Sequence, residues 1–505
     1  MQIHKRTCFV VVLLAIVGFT GASLSIGQLG DLEWSHPSPA RAADSPAYTA
    51  FLPSVSSTFP FQTVFGVEMP QIINKNGLAE VAEAGTTWVR LNGALWADIE
   101  PDQAGQRDWS ALSSLEEQLK NAAYRGLKVI LIVRKTPVWA QKVPGSYCGP
   151  IAEEDLAAFG DFLKELVSRY SRHPFNVKYW ELWNEPDVDP ALADYIGGAD
   201  NQFGCWGNIT DAYYGGGYYG EMLKAVYPKI KEADPRAQVI VGGLLLSCDP
   251  ASKCDPTDSS PRFFEGVLAN GGGDYFDGIG FHNYEYYYYN INNPQANIGH
   301  YGNLNWNSSW NTTGPAGIAK SRYLQSLLTK YAVSGKFIMN TETALVCGDF
   351  NGVGDGCESD PDSPYEQTKA YYIAQSYAVA MADNLVSNVW YSVTGWRNSG
   401  LINTDLSPRP AYTALKFARE ELQSAIYEGE VQSVDIGGAT NVKGYKFRLS
   451  DRRVWLLWSL DGQPHLVPFS EYPLAMWDVY GDSVLANGSM EQPVTIKPVY
   501  VEFAP

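Results

Sequence analysis

The fold of this chain is decided by two segments, Tyr179-Trp180-Glu181-Leu182-Trp183-Asn184-Glu185-Pro186 and Lys336-Phe337-Ile338-Met339-Asn340-Thr341-Glu342-Thr343. Each segment runs an apolar stretch with strand character into a glutamate at its C-terminal end. Proline cannot continue a strand ladder, so Pro186 predicts that the first strand stops where Glu185 emerges. The two glutamates are 157 residues apart (342 − 185 = 157). Only a folded chain can therefore bring them together.

Apolar runs of strand length alternate with helical patterns along most of the chain, which is typical of βα units around a buried parallel sheet. The strand candidates are residues 63–69, 87–91, 128–133, 177–183, 238–244, 278–282, 336–339 and 388–393. The helical candidates are residues 108–125, 154–170, 218–232, 318–331, 366–382 and 411–422. Eight strands are the number that closes a parallel barrel, so the sequence predicts an α/β fold of the (β/α)8 TIM-barrel type. An open doubly wound sheet is disfavoured because no glycine-rich phosphate turn follows Phe65-Gly66-Val67-Glu68.

The two ends of the chain differ from the barrel region in their pattern of apolar and polar residues. A basic start, an apolar run over residues 8–19 and small residues at 21–23 predict a secretory signal. An uncleaved membrane anchor is the alternative, but the run is shorter than the ~20 residues that a spanning helix needs. After about residue 423 the pattern changes to alternating strands without helices, which predicts a small β-sandwich. The predicted organisation is a signal peptide at 1–23, a linker at 24–58, a catalytic barrel at 59–424 and a β-sandwich at 425–505.

The cysteines support export. Removal of Cys8 with the signal leaves an even set of six, and such sets in exported proteins usually form disulfides. Short loops would be closed by Cys248 with Cys254 and by Cys347 with Cys357, which leaves Cys148 and Cys205, although spacing alone does not fix the pairing. The histidines form no HExxH or His-x-His set, so no metal and no cofactor are expected. We therefore expect a secreted or extracellular protein.

The charge of the chain narrows the class of partner. A formal net charge of −18 repels nucleic acid phosphates and anionic membrane surfaces, so a neutral ligand is favoured and no membrane insertion is expected after signal removal. The 15 Trp and 31 Tyr exceed what a core alone requires, and their rings are suited to the apolar faces of sugars. These features favour an oligosaccharide or polysaccharide as the ligand. They leave the oligomeric state open.

The chemistry of the two strand ends follows from their charge. Side chains at the C-terminal ends of barrel strands point into a shared mouth, so Glu185 and Glu342 are expected to face each other there. Two carboxyl groups ~5 Å apart cannot both ionise easily, so one stays protonated as an acid while the other acts as a nucleophile. This is the equipment of a glycosidase that retains configuration. The sequence leaves open which sugar and linkage it cleaves and whether it acts within chains or at their ends.

The region from about residue 61 to 422 resembles a clan of retaining glycoside hydrolases. In that clan the acid/base lies in an Asn-Glu-Pro motif that ends strand four, and the nucleophilic glutamate ends strand seven. The resemblance is carried by Asn184-Glu185-Pro186, Asn340-Thr341-Glu342, Trp88-Val89-Arg90, Trp96-Ala97-Asp98-Ile99-Glu100-Pro101, Thr136-Pro137-Val138-Trp139-Ala140, Asp277-Gly278-Ile279-Gly280-Phe281-His282-Asn283-Tyr284 and the passage over 400–412. Within the clan the chain looks most similar to families 39 and 5.

The resemblance implies roles at the matching positions. Glu185 would be the acid/base and Glu342 the nucleophile. Asn184 would hold the sugar 2-hydroxyl, and Arg90 would keep the nucleophile ionised. For Asn184 and Arg90, the alternative is a hydrogen-bonded residue that only supports the barrel rim.

Three more positions complete the implied site. His282 and Tyr284 would border the nucleophile, with the same rim-supporting alternative. Trp396 would be the sugar-stacking aromatic after strand eight, in preference to Trp390. Two other functional classes fit the sequence less well. A carbohydrate-binding or adhesion protein on an inactive barrel would have no reason to keep two repelling carboxylates together, and an esterase would need a Gly-x-Ser-x-Gly elbow, which the chain lacks.

Overall fold

The computed structural model describes most of the chain after its first 62 residues. The described residues are 63–191, 203–251, 254–287, 306–307, 310, 315–348, 357, 360–486 and 489–505. The predicted signal peptide and linker lie outside them. No helix within this described part is long and apolar enough to cross a membrane.

Eight parallel strands close into a barrel, as predicted. They are β1 Phe65–Glu68, β2 Trp88–Leu95, β3 Lys128–Arg134, β4 Tyr179–Asn184, β5 Gln238–Leu244, β6 Gly278–Tyr287, β7 Phe337–Cys347 and β8 Asn388–Trp390. Each strand pairs in parallel with the next in the chain, and β8 pairs with β1 to close the ring. The two-residue strand Trp306–Asn307 adds an antiparallel pairing to the outer end of β6.

Helices connect the strands and cover the barrel. They are α1 Leu78–Glu83, α2 Trp96–Ile99, α3 Ser113–Tyr124, α4 Leu156–Tyr170, α5 Gly216–Ala233, α6 Phe263–Ala269, α7 Gly317–Lys330, α8 Pro364–Ala382 and α9 Pro410–Leu422. The six longer helices agree with the helical patterns in the sequence. The short helices α1, α2 and α6 were not predicted, because fewer than two or three turns give too little periodicity to recognise.

The barrel interior is closed at one end by a small apolar cluster. Trp88, Ile130, Ile240, Met339 and Val389 come from five different strands and are all fully buried. A much larger cluster fills the layer between the strands and the surrounding helices. Apolar packing therefore occupies the lower part of the barrel and the outer layer, and leaves the opposite end of the strands for polar side chains.

Strands β6 and β7 extend further than the sequence pattern predicts. Their pairing continues to Tyr287 and Cys347, with a register shift after Phe281 and with His282 opposite Glu342. Glu342 therefore lies within β7, whereas we expected it at the strand end. Polar residues interrupt the apolar run at 340–343, so the strand signal stops early although the backbone ladder between β6 and β7 continues.

A β-sandwich follows the barrel, again as predicted. Its strands are β9 Ile426–Glu430, β10 Val442–Arg448, β11 Arg453–Ser459, β12 His465–Pro468, β13 Ala475–Trp477, β14 Glu491–Val494 and β15 Val499–Phe503. Five of them form a sheet in the order β9-β10-β11-β15-β13, and β12 pairs with β14.

Three disulfides join the six cysteines that follow the predicted signal. The pairs are Cys148–Cys205, Cys248–Cys254 and Cys347–Cys357, in agreement with the pairing favoured by spacing. Cys148–Cys205 joins the loops that follow β3 and β4. Cys347–Cys357 closes the segment after β7, and most of that segment lies outside the described residues. The predicted disulfides are therefore confirmed.

Candidate active site

Arg90 is the centre of a polar cluster at the C-terminal end of the barrel. The residue lies on β2 and is fully buried. Its Nε donates to Glu181 Oε2 at 2.6 Å and its Nη2 donates to Asn184 Oδ1 at 2.7 Å. Its Nη1 donates to Glu68 Oε2 at 2.7 Å and also to Glu342. One guanidinium thus holds side chains from β1, β4 and β7.

Glu342 receives hydrogen bonds on both carboxyl oxygens. Arg90 donates to Oε1, and the Tyr284 hydroxyl donates to Oε2. Burial raises the pKa of Glu342, while the positive charge of Arg90 and the Tyr284 hydrogen bond act in the opposite direction. Because both donors favour the carboxylate, this environment is built to keep Glu342 ionised despite its burial.

Glu185 lies in a different environment on the other side of the same cleft. Its backbone adopts φ 50°, in the left-handed region, and its N–H donates to Gly243 O at 2.9 Å. Burial raises the pKa of Glu185 well above its ordinary value, and the negative charges of Glu342 and Asp187 add to this effect. The side chain is therefore held in its protonated form to a higher pH than an ordinary glutamate.

The two predicted catalytic carboxyl groups converge. One oxygen of Glu185, one oxygen of Glu342 and one ring nitrogen of His282 lie within 4.8 Å of one another. In retaining glycosidases the two carboxyl groups are ~5–5.5 Å apart, whereas inverting enzymes leave ~6.5–9.5 Å for a water molecule. The nearest oxygens of Glu185 and Glu342 are therefore closer together than the spacing of inverting enzymes.

His282 lies between the two glutamates. Its Nδ1 is 2.7 Å from Glu185 Oε1 and 3.4 Å from Glu342 Oε2. Burial lowers the pKa of His282 well below its ordinary value, and the positive charges of Arg90 and Lys320 lower it further. The imidazole is therefore neutral. It forms a hydrogen bond with Glu185 without adding a positive charge to the cleft.

The trio of Glu185, His282 and Glu342 also brings potential metal ligands together, but Glu342 already accepts hydrogen bonds on both oxygens. Hydrogen-bond donors face both oxygens of Glu342, which is the surrounding of a carboxylate held for an organic substrate. A second group, Cys248, Cys254 and Asp258, also brings potential metal ligands together. Its two sulfur atoms are joined in a disulfide, so neither is available as a thiolate.

The two candidate tryptophans occupy different places. Trp390 is fully buried, and its indole N–H donates to Ser399 O at 2.9 Å. Trp396 is 45% exposed, and its ring meets that of Tyr284 edge to face at a centroid distance of 5.9 Å. Tyr284 makes the same kind of contact with Tyr391, also at 5.9 Å. An accessible aromatic wall therefore stands beside Glu342, and Trp396 belongs to it.

Three acidic residues of the cluster were not predicted. Glu68 ends β1, and a search of every strand end for polar residues would have found it. Glu181 is a charged residue in the middle of the apolar β4, and it accepts from Gly243 N at 2.7 Å and from Thr341 Oγ1 at 3.0 Å. Asp187 accepts from the backbone N–H groups of Leu245 and Leu246, so it fixes the β4 loop against the end of β5. No pattern in the sequence marks the role of Asp187.

Comparisons with known proteins agree with the fold. The family model described as cellulase, glycosyl hydrolase family 5, matches residues 53–395. A family 39 glycoside hydrolase from the gut symbiont Bacteroides cellulosilyticus WH2 is similar in structure, with a TM-score of 0.61 and 19% identity over 87% of this chain and 81% of that one. No curated protein matches the chain significantly.

Two further solved structures share the architecture. A GH30 endoxylanase from Clostridium papyrosolvens C71 has a TM-score of 0.55 and 12% identity, over 87% of this chain and 96% of that chain. A GH39 β-xylosidase from Caulobacter crescentus has a TM-score of 0.52 and 14% identity, over 88% and 97%. At such low identities these likenesses establish the fold alone. The family model covers well over half of the chain, so this protein belongs to the cellulase family of glycosyl hydrolases, family 5, and is a glycosidase.

Proposed function

We propose that this protein is a secreted retaining β-glycosidase in which Glu185 is the acid/base and Glu342 the nucleophile. The observation that carries the proposal is the approach of the two carboxyl groups to within 4.8 Å. The surroundings of the two carboxyl groups differ in the way that this mechanism requires, with one group protonated and the other ionised. Glu342 faces two donors that favour its anion, while burial beside two other carboxyl groups favours the protonated form of Glu185.

The first step forms a covalent glycosyl-enzyme. A carboxylate oxygen of Glu342 attacks the anomeric carbon, the bond from that carbon to the leaving oxygen breaks, and the proton of Glu185 passes to the leaving oxygen. In the second step Glu185 takes a proton from water, the hydroxide attacks the anomeric carbon, and the bond to Glu342 breaks. Two inversions give net retention, and both glutamates return to their starting states.

We assign supporting roles to the neighbours of the two glutamates. Arg90 and Tyr284 orient Glu342 and stabilise its charge before attack and after release. Because Asn184 Oδ1 accepts from Arg90, its amide nitrogen is the end presented to a sugar hydroxyl. His282 fixes the orientation of Glu185 through the 2.7 Å contact at Nδ1. Trp396 supplies an exposed ring for a sugar face.

The substrate we propose is a neutral β-linked polysaccharide or its fragments. The net charge of −18 disfavours acidic polymers, and the accessible aromatic wall favours uncharged sugar rings. The names of the similar proteins, cellulase, endoxylanase and β-xylosidase, make β-linked glucose and xylose polymers the first substrates to test. The three disulfides support our further proposal that residues 1–23 are a secretory signal.

The experiment measures whether the configuration at the anomeric carbon is retained or inverted during hydrolysis. Proton NMR of early hydrolysis on a panel of nitrophenyl β-glycosides should show the β-anomer as the first product. Glu342→Ala should abolish turnover. Glu185→Ala should recover activity when azide is added and should yield the β-glycosyl azide, because a small anion can take the place of the water that Glu185 activates.

The control is Glu117→Ala, since Glu117 is exposed on α3 outside the cleft. This variant should match the parent. An α-anomer as first product would contradict retention. Full turnover by folded Glu342→Ala would contradict the assignment of the nucleophile. Binding of glycans without hydrolysis of any of them by the parent would favour the alternative, a carbohydrate-binding protein on a barrel scaffold.

A further inference from the structure

A second cleft lies outside the cluster around Arg90, at the junction of the barrel and the β-sandwich. Its volume is about 500 Å3. The barrel side is formed by the start of α8 with Tyr371 and by the segment around Arg409 that leads into α9. The sandwich side is formed by Asp478, Tyr480 and Lys497. None of these residues takes part in the proposed reaction.

Two tyrosines in this cleft present hydroxyl groups that make no hydrogen bond within the described part of the chain. Tyr371 is only 8% exposed, and its hydroxyl makes no hydrogen bond to any residue that the structure describes. The same holds for the hydroxyl of the half-buried Tyr480. Burial raises the pKa of Tyr371 to about 12, and the negative charge of Asp478 adds to the effect, so the hydroxyl stays a neutral donor and acceptor. Neither hydroxyl oxygen is among the fully buried, unpartnered polar atoms of the described residues, so both are open to water or to a ligand in the cleft.

The rim of the cleft adds charged groups of both signs. Neither the amine of Lys497 nor the carboxylate of Asp362 forms an ion pair within the described part of the chain. Their charges offset one another, so the cleft has no strong preference for an anion or a cation. Pro361, Pro408 and Pro498 form rigid apolar walls between these polar groups.

The combination fits one chemical class of ligand. The cleft has flat apolar walls, neutral hydroxyl donors beside them, and charged groups at its edge that can form hydrogen bonds. These features suit a molecule that carries hydroxyl groups around apolar C–H faces. A sugar chain has this character. A lipid would leave the tyrosine hydroxyls unsatisfied, and a phosphate would meet the carboxylates of Asp362 and Asp478.

The position of the cleft agrees with this ligand. Helices α8 and α9 each begin after a loop that leaves the C-terminal end of a barrel strand, so their first turns lie at the same end of the barrel as the catalytic cluster. A polymer bound at Glu185 and Glu342 extends over this end. A site beside the first turns of α8 and α9 is placed to receive a part of the polymer that is not being cleaved.

We propose that the cleft between Tyr371 and Tyr480 is a second, non-catalytic binding site for a neutral polysaccharide chain. This proposal rests on the proposed function only in taking a polysaccharide as substrate. The site would hold the polymer near the barrel mouth and raise the efficiency on long substrates. It would leave the hydrolysis of short glycosides unchanged.

Affinity electrophoresis tests the proposal with full-length protein in the inactive Glu342→Gln background. Native gels contain soluble β-glucan, xylan, mannan, galactan or arabinan. We expect at least one polymer to retard the protein. Adding Tyr480→Ala should weaken that affinity by about fivefold, through loss of the ring and its hydroxyl. Tyr371→Phe, which removes only a hydroxyl, should weaken it by about threefold.

Controls separate this site from the catalytic cleft. Tyr124→Ala removes a tyrosine that is 90% exposed on α3 and should leave the retardation unchanged. In the active protein, Tyr480→Ala should lower kcat/KM on the polymer and leave kcat/KM on a nitrophenyl glycoside unchanged. Because the short substrate reports on the catalytic cleft alone, failure of this proposal is distinct from failure of the proposed function.

Two results would overturn the proposal. One is equal retardation of the parent background, Tyr480→Ala and Tyr371→Phe on every polymer. The other is no retardation of the parent background on any polymer in the panel. If Tyr480→Ala fails to fold, Tyr371→Phe decides the outcome, since the loss of one hydroxyl preserves the shape of the side chain.

Discussion

The guanidinium of Arg90 meets three carboxyl groups, Glu68, Glu181 and Glu342, and this arrangement sets the protonation of the whole cluster. Three buried carboxylates around one positive charge leave a net negative charge, so at least one of them is favoured in its protonated form. Burial raises the pKa of Glu68 to about 8, and Arg90 offsets only part of this rise. Among the carboxyl groups bonded to Arg90, Glu68 is therefore the one that we expect to keep its proton near neutral pH.

Replacement of Arg90 by lysine should impair catalysis severely. A lysine amine has three donors on a flexible stem and cannot reproduce the planar fork that bonds Glu181, Asn184, Glu68 and Glu342 at once. We expect kcat/KM of Arg90→Lys to fall by about a hundredfold or more. Kinetics on a nitrophenyl glycoside measure the loss, with near-UV circular dichroism as the check on folding. A folded Arg90→Lys protein with parental kcat/KM would contradict the role of this fork.

Glu68→Gln should change how stability depends on pH. The carboxyl has a pKa of about 8 when folded and about 4.5 when unfolded, so the folded state binds more protons between these values. The free energy of unfolding of the parent should therefore fall as the pH rises from about 4.5 to about 8, relative to Glu68→Gln, which cannot ionise. We expect a relative change of about 4 kcal/mol across this range, since one pKa unit corresponds to ~1.4 kcal/mol and the two pKa values differ by 8 − 4.5 = 3.5 units.

Urea denaturation at a series of pH values measures this difference. Glu117→Gln is the matched control, because Glu117 is exposed on α3. Parallel pH curves for the parent and Glu68→Gln would show that Glu68 is ionised in the folded protein at neutral pH. The proton of the cluster would then have to lie on another carboxyl group.

At the scale of single elements, the extension of β6 and β7 shapes the cleft. The paired strands continue past the catalytic level to Tyr287 and Cys347, so Glu342 and Tyr284 project from a continuous ladder. Glu185, by contrast, emerges at the end of β4 on a left-handed residue. The proposed nucleophile is thus held by strand pairing with β6 and lies within a register shift toward β8, while the acid/base is held by turn geometry and its contact with His282.

Helix α8 holds the loop that carries Trp396. The amine of Lys369 is buried and donates to Asn398 O and Gly400 O, both at 2.9 Å, and to Glu366 at 2.8 Å. All three of its donors are used on these partners. The position of the exposed Trp396 ring therefore depends on a buried ion pair beneath the loop.

Lys369→Met should loosen this loop and destabilise the protein. The change leaves two buried carbonyl groups without their donor and removes the nearest positive charge from Glu366, so the free energy of unfolding should fall by about 3 kcal/mol. Hydrogen exchange over residues 395–400 should accelerate. The double variant Glu366→Gln/Lys369→Met should recover part of the stability, because the buried Glu366 carboxylate would otherwise depend on Arg409 alone, 3.3 Å away. Unchanged exchange in Lys369→Met would contradict the link to the loop.

At the scale of the whole molecule, the β-sandwich covers one side of the barrel. The Phe417 ring on α9 meets Tyr500 on β15 edge to face at 5.4 Å, and Tyr500 is fully buried. Arg452 bridges the two parts, 3.6 Å from Glu421 on α9 and 3.4 Å from Glu502 on β15. We therefore propose 59–424 and 425–505 as structural domains that share a packed interface.

A chain limited to residues 59–424 should be less stable than one spanning 59–505. Removal of the sandwich exposes the apolar surface around Phe417 to water and takes away the partners of Glu421. We expect aggregation during purification, or a Tm lower by on the order of 10 °C in a thermal scan at equal concentration. Equal Tm values for the two chains would show that the barrel does not depend on its companion.

Much of the site could be predicted from the sequence because it follows from strand order. Glu185 and Glu342 lie where an apolar strand run meets polar residues, and a parallel barrel collects such positions at one end. Arg90 and Tyr284 are expected there through the family resemblance. The same search of strand ends would also have found Glu68. It would not have found Lys369, because a lysine in a helical pattern normally predicts a solvated face. The burial of Lys369 depends on a loop from another part of the chain.

The sequence by itself determined the barrel and the sandwich and supplied Glu185 and Glu342 as candidates, because apolar periodicity and strand ends are local properties of the chain. Only the tertiary structure decided how Arg90 divides its hydrogen bonds among Glu68, Glu181, Asn184 and Glu342. It also decided the opposite surroundings of Glu185 and Glu342 and the second cleft beside α8. Burial and hydrogen-bond partners depend on residues that are distant in the chain, and no local pattern records which of them will meet.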